Sequence, residues 1–333
     1  MNDSQQSQTA APGAIAPAPP EVPVVFLVFN RPAATARVLE QIRAARPSTF
    51  LVVADGPRPD RKGEAGLCRE VRELVLSRID WNPRLLTHFA EENLGCRRRI
   101  SSGLSWAFEH VEEAIILEDD CLPDPTFFRF AAELLAHYRN DTRVGVISGD
   151  NFQPQPMNGP ASYYFSKYNH CWGWATWRRA WKYYDDDMKA WPALRESGWL
   201  DGLFPRREYS GYWRGLFDEV AKRRIDTWDY PWTFACWSQS LLSVLPRSNL
   251  VTNIGVGPDA THTQGLDPGQ HFLRTHPVKF PLVHPSAVVL NYAADDYSQA
   301  HVFGEARLKT LPARLRRLRR KLGRRQIAAP KPH

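Results

Sequence analysis

Hydrophobic positions in the first half of the chain switch repeatedly between two periods. "VPVVFLVFN" (Val22–Asn30) is an uninterrupted apolar run, which suits a strand covered on both faces. "RPAATARVLEQIRAA" follows, with Val38, Leu39 and Ile42 on one helical face. The alternation then repeats. "TFLVVADG" (Thr49–Gly56) reads as a strand, and "AGLCREVRELVLSRI" as a helix with Leu67, Val71, Leu74 and Ile79 near helical spacing. "RLLTHFA" (Arg84–Ala90) is a strand, "NLGCRRRISSGLSWAFEHV" a loop and a helix, and "AIILEDD" a strand. "RVGVISGD" (Arg143–Asp150) supplies one more. Strand–helix units of this length predict right-handed crossovers, hence an α/β fold with a mostly parallel sheet flanked by helices.

Beyond Asp150 the texture changes. Most of the twelve tryptophans fall between Trp172 and Trp237, in stretches such as "NHCWGWATWRRAWKYYDDD" and "TWDYPWTFACWSQS". Rings beside polar residues suit the wall of a cleft that stacks sugars; a tryptophan-rich second core is the other reading. The chain therefore divides into a Pro/Ala/Gln tail (1–21), an α/β half (22–150), an aromatic-rich half (151–300) and a terminal segment (301–333).

Composition changes this picture in three places. Five scattered cysteines with no CxxC pair fit reduced thiols in a cytoplasmic protein, against a disulfide scaffold or zinc knuckle. No run approaches the roughly 18 apolar residues that span a bilayer, and the first residues lack the basic and apolar regions of a signal peptide. The net charge of +7 is uneven: Arg307–His333 holds eleven Lys or Arg and no acid, so the rest of the chain is net acidic. Within "ARLKTLPARLRRLRRKLGRR", Leu308, Leu311, Leu315, Leu318 and Leu322 recur at steps of three and four. Residues 307–325 thus read as a basic amphipathic helix suited to an anionic membrane surface. A leucine stripe docking on a partner helix, or nucleic-acid binding, are the other uses of such a segment; no nucleic acid is expected.

Candidate chemistry gathers at the ends of the predicted strands, where ligands of open α/β sheets sit. Asn30 and Arg31 follow the first strand, Asp55 and Gly56 the second, Asn93–Arg99 the third and Glu118–Asp120 the fourth. No G-x-G-x-x-G follows the first strand and no GxxxxGK[ST] occurs, which counts against a dinucleotide cofactor and a P-loop. Three carboxylates at the end of a buried strand need a compensating cation. Hard oxygen ligands suit Mn2+ or Mg2+ bridging a substrate diphosphate, although Asp119 or Asp120 capping the next turn explains the acids as well. Of Arg97, Arg98 and Arg99, helical spacing lets one or two face a pyrophosphate, and Arg97 is the choice.

The order "VVFLVFNRP … VVADG … NLGCRRRISSGLSWAF … AIILEDDCLPDPTFFRF" resembles the nucleotide-sugar-binding half of GT-A glycosyltransferases. Within them it is similar to the N-acetylglucosaminyltransferase I type, with its Glu-Asp-Asp metal motif, and to related bacterial sugar transferases. The resemblance implies a UDP-sugar donor and a divalent ion held by Asp120. It implies that Glu118 and Asp119 contact ribose and donor sugar, that Asp55 binds uracil, and that Arg31 faces the base or phosphates. An inverting transfer needs a base for the acceptor hydroxyl. "DTWDYPWTFA" offers Asp229, with Asp226 in reserve, and the family type carries its base in a Trp-Asp context. A helix cap ahead of Pro231 is the plain alternative for Asp229. His262, in the Gly-rich "NIGVGPDATHT", is a candidate metal or donor-site residue, and Trp172 and Trp174 are candidates for acceptor stacking.

These readings converge on a metal-dependent, inverting transfer of a sugar from a nucleotide donor to a glycan or lipid-linked acceptor, at the inner face of the cell membrane. Two rivals stay open. One is a sugar-nucleotidyltransferase, which would usually carry a glycine-rich phosphate loop where this chain has "FNRPAATA". The other is a non-catalytic carbohydrate-binding or membrane-scaffold protein.

Overall fold

The computed structural model describes residues 22–154, 157, 159–255 and 273–303. The tail at 1–21, His262 and the basic segment 307–325 lie outside the described residues. In the first half the elements fall where the hydrophobic pattern puts them: β1 (Val24–Val28), α1 (Pro32–Ala45), β2 (Thr49–Ala54), α2 (Glu64–Ser77), β3 (Arg84–Phe89), α3 (Gly95–His110) and β4 (Glu113–Glu118). Pro32 opens α1, where a missing N–H costs nothing, and Arg46 ends it in the left-handed region at φ 50°. A short β5 (Cys121–Pro123), α4 (Thr126–Tyr138) and β6 (Val144–Ser148) follow.

The second half adds β7 (Tyr163–Ser166), β8 (Trp174–Trp177), β9 (Leu242–Pro246) and β10 (Val251–Asn253), with α5 (Arg178–Trp181), α6 (Trp191–Glu196), α7 (Trp199–Leu203), α8 (Arg207–Ala221) and α9 (Asp229–Ser238) among its helices. Its strands join the same sheet as those of the first half. The eight-stranded order is β3-β2-β1-β4-β8-β6-β9-β7. β1, β2, β3 and β4 run parallel, β8 is wedged antiparallel between β4 and β6, β9 returns parallel to β6, and β7 closes the far edge antiparallel. β10 pairs antiparallel with β5 in a separate two-stranded sheet. The molecule is a mixed α/β protein with a Rossmann-like 3-2-1-4 half.

Both faces of the sheet are covered, which is why β1 is apolar at every position. Val24, Phe26 and Val28 pack with α1, α2 and α4; Val25 and Leu27 pack with α3 and the helices of the second half. The second face is where the tryptophans go: Trp174, Trp181, Trp191, Trp213, Trp228, Trp232 and Trp237 are all buried in it. For most of these rings the second-core reading is the right one. No helix among the described residues is long and apolar enough to cross a membrane.

Candidate active site

From β1 the chain moves to β2 on one side while β4 lies on the other, so the carboxyl ends of β1 and β4 flank the point where strand order reverses. Crevices of this kind are where α/β sheets bind ligands. Leu27 is paired with Glu118, so the residues leaving the two strands face each other. Arg31 Nη1 lies 2.7 Å from Asp120 Oδ2 and 3.8 Å from Asp119 Oδ1. Asp119 Oδ2 also accepts the Phe29 N–H at 3.1 Å. A cation does attend the acidic triplet, and it comes from the chain itself.

One arginine does not balance the acids. Burial, then the charge of Asp120, pushes the Asp119 carboxyl up to about 7 against the pull of Arg31 and the Phe29 N–H. Glu118 is pushed well above the usual carboxylate range by burial, then by Asp120, Asp119 and Asp229. That last influence is the first sign that the two halves meet: Asp229, at the start of α9, faces the end of β4. Its Oδ1 accepts from the Thr227 hydroxyl and from the Tyr230 N–H, the latter at 2.9 Å. Both halves of its alternative roles survive, since it stands at a helix start and also in the crevice.

The inserted strand β8 delivers more of the wall. Because β8 is antiparallel, the segment entering it arrives at the edge that β4 and β6 leave, and Trp174 is the partner of both Ile116 and Ser148. Cys171 and Cys96 therefore flank the same carboxylates. Burial pushes both thiols up, reinforced by Glu118 and Asp229. Trp172 is partly exposed here, its ring 5.1 Å from Phe152, which in turn lies 4.7 Å from His170. Asp150 is buried below, accepting from the Ser148 hydroxyl, and burial raises it to about 7.

The described start of the Gly-rich loop lies on the triplet. Ile254 N–H donates to the Asp120 carbonyl at 2.7 Å. A Cβ added to Gly255 would sit 2.1 Å from Asp120 Oδ2, so no larger residue fits without moving the carboxylate.

Three of the sequence-predicted residues have other work. Arg97 is not at the crevice surface: it is 2% exposed, its Nε donates to Asp186 Oδ1 at 2.6 Å, and its Nη1 donates to the Val220 carbonyl at 3.2 Å. It ties α3 to the second half. Trp174 is 1% exposed and stacks on Trp228 at 5.5 Å and 19°, so no sugar face reaches it. Asp55 accepts four hydrogen bonds, from the N–H groups of Gly56, Leu94 and Gly95 and from Asn93 Nδ2, at 2.9–3.1 Å. Both oxygens are filled, so Asp55 shapes the 93–95 turn and has no acceptor capacity left for a base. Asn30 donates to Glu64 at 2.9 Å at the rim. Arg31, Glu118, Asp119, Asp120, Asp229 and Trp172 are brought together; Phe152, Cys96, Cys171 and Gly255 join them without having been singled out. Gly255 left a trace in the sequence as the first glycine of "NIGVG", and Cys96 and Cys171 lay within the stretches Asn93–Arg99 and "NHCWGWATW".

The acidic set suits a divalent ion on chemical grounds. Glu118, Asp119, Asp120 and Asp229 face one arginine, and the raised carboxyls of Glu118 and Asp119 mark an uncompensated negative field. Among the described residues no three His, Cys, Asp or Glu side chains form a ready ligand cage.

No protein-family model matches the chain, and no curated protein matches it. Among solved structures, an inositol-1-phosphate CTP transferase from T. maritima superposes on 69% of this chain and 88% of its own, with 12% sequence identity and a TM-score of 0.36. The α/β class of this chain rests on its own sheet order.

Proposed function

We propose that the protein is a metal-dependent glycosyltransferase that takes a nucleotide sugar, of the UDP class, as donor. The observation that carries this reading is the facing of Glu118–Asp120 and Asp229 across one crevice, beside Arg31 and the partly exposed ring of Trp172. A bound divalent ion would supply charge neutralisation of the donor diphosphate and ease its departure. Asp120 would hold that ion, Arg31 would bind phosphate oxygens, and Glu118 and Asp119 would orient ribose and donor sugar by hydrogen bonds. Asp229 would accept the proton of the acceptor hydroxyl as it attacks the anomeric carbon, while Trp172 and Phe152 pack against the acceptor. The acceptor is a glycan or lipid-linked sugar, and the basic segment 307–325 would hold the enzyme at an anionic membrane surface.

A sugar-nucleotidyltransferase is the second reading, since the same acid–arginine edge serves a nucleoside triphosphate and a sugar phosphate. A thermal-shift panel of nucleoside diphosphates, triphosphates and nucleotide sugars, with and without Mn2+, separates the two. The proposal expects metal-dependent stabilisation by a UDP-sugar that Asp120→Asn abolishes. It expects Asp229→Asn to keep that stabilisation while turnover falls by a factor of about 100 or more. Stabilisation by a triphosphate alone, with release of pyrophosphate from a sugar phosphate, would replace it with the second reading. No metal-dependent shift with any nucleotide would remove both.

A further inference from the structure

A second cavity of about 420 Å³ lies at the other end of the sheet, between the edge strand β7 and the segment 285–292. Phe165 bridges Leu290 in parallel, and the Asn291 N–H donates to the Phe165 carbonyl at 2.9 Å, so the wall is fixed to the sheet. Its lining includes Arg247, Val289 and Tyr292, and none of the described lining residues is acidic. Tyr292 is 76% exposed and Val289 65%, an open apolar surface beside a cation.

Arg247 is built in. Its N–H donates to the Ser162 carbonyl at 3.0 Å, and Asn151 Nδ2 holds its carbonyl at 3.0 Å. A Cβ on Gly159 would stand 2.7 Å from Arg247 Nη2, and Gly159 itself has φ +113°. The loop thus passes against the guanidinium where only glycine fits. The half-buried guanidinium has no hydrogen-bond or ion-pair partner among the described residues. A fork-shaped donor set beside an exposed phenol ring and an apolar wall matches one ligand chemistry: a pyranose that bears an anionic group.

We infer that this cavity binds a negatively charged sugar unit, through its carboxylate or phosphate on Arg247 and its ring face on Tyr292. β9 runs parallel to β4, so Arg247 opens on the same edge as Glu118–Asp120, three strand positions away. That is about 14 Å at the usual strand spacing, within reach of an oligosaccharide that also enters the crevice. Resting on the glycosyltransferase reading, the unit is a distal residue of an acidic acceptor glycan.

The test needs no turnover. Methyl glucuronide, glucose 6-phosphate and neutral methyl glucoside are titrated into the full-length protein by saturation-transfer NMR. One of the two acidic sugars binds at least tenfold more tightly than the neutral one, and which of them does identifies the anion as carboxylate or phosphate. Arg247→Met and Tyr292→Ala each weaken that binding about tenfold while leaving the Mn2+-dependent UDP-sugar shift in place. Equal binding of all three sugars, no binding of either acidic sugar, or binding unchanged in both variants overturns the assignment. Loss of the UDP-sugar shift in the unmutated protein would instead sink the proposed function, leaving the sugar-binding result to be read by itself.

Discussion

A single aromatic ring illustrates how much a residue's neighbours decide. Trp172 precedes β8 while Trp174 opens it, and Gly173 between them turns the chain at φ +67°, so the two rings reach different surroundings. Trp174 is packed on Trp228, Trp181 and Trp232, while Trp172 meets Phe152 at the crevice. Composition alone did not separate them, because sugar stacking and core packing recruit the same rings. Thermal and chemical unfolding should tell them apart: Trp174→Ala is expected to cost about 3–5 kcal/mol as a core cavity, and Trp172→Ala less than about 1.5 kcal/mol. Were the proposed role correct, Trp172→Ala would lose acceptor affinity at near-native stability. Arg97 and Asp55 carry the same lesson for charge. Their identities suited a donor site, but burial with Asp186 in one case and four N–H donors in the other make them struts.

At the scale of elements, the first half was readable because continuous apolar strands and amphipathic helices leave distinct periods. Each predicted strand from Val22 to Asp150 appears, its ends shifted by no more than two residues. What the pattern did not reveal was β8. "WATW" is four residues long and fully buried, too short for a period and rich in residues that also suit a helix. With it was hidden the reason that Cys171 and Trp172 reach the ends of β4 and β6. The β5–β10 pairing was equally hidden, since each strand has three residues and their partners are far apart in sequence. That pairing places Gly255 on Asp120, and it makes a sharp prediction. Gly255→Ala should abolish Mn2+-dependent nucleotide stabilisation by displacing the Asp120 carboxylate, yet shift the melting temperature of the ligand-free protein by only a few degrees. Retained metal-dependent binding in that variant would show that the loop has room the structure does not give it.

For the molecule as a whole, the cost of burying a carboxylate beneath the site should be visible in its pH dependence. Asp150 is buried, and its folded-state carboxyl sits at about 7, above the ordinary 3.8. The folded protein therefore binds this proton more tightly than the unfolded chain. Its contribution to stability is complete below about pH 4 and is lost as pH rises through about 7. Asp150→Asn removes that loss, so stability of the variant relative to the parent should rise between pH 5 and 8. The slope is at most about 1.4 kcal/mol per pH unit for one proton. Urea denaturation at pH 5, 6, 7 and 8 measures it, and parallel curves for the two proteins would refute the buried-charge account.

The wedge of β8 also says something about how the chain is assembled as it is made. Until Trp174–Trp177 leaves the ribosome, β4 has no neighbour on its outer side and β6 none on its inner side. The sheet exists only as two unjoined pieces, the β3-β2-β1-β4 ribbon and a later strand still waiting for its place. Four residues therefore join the two pieces, with the same movement that brings Cys171 and Trp172 up to the acids, and β9 and β7 complete the sheet later. A nascent chain halted near residue 150 would show an open strand edge to any other chain nearby, and would do so with a crevice that has only one wall.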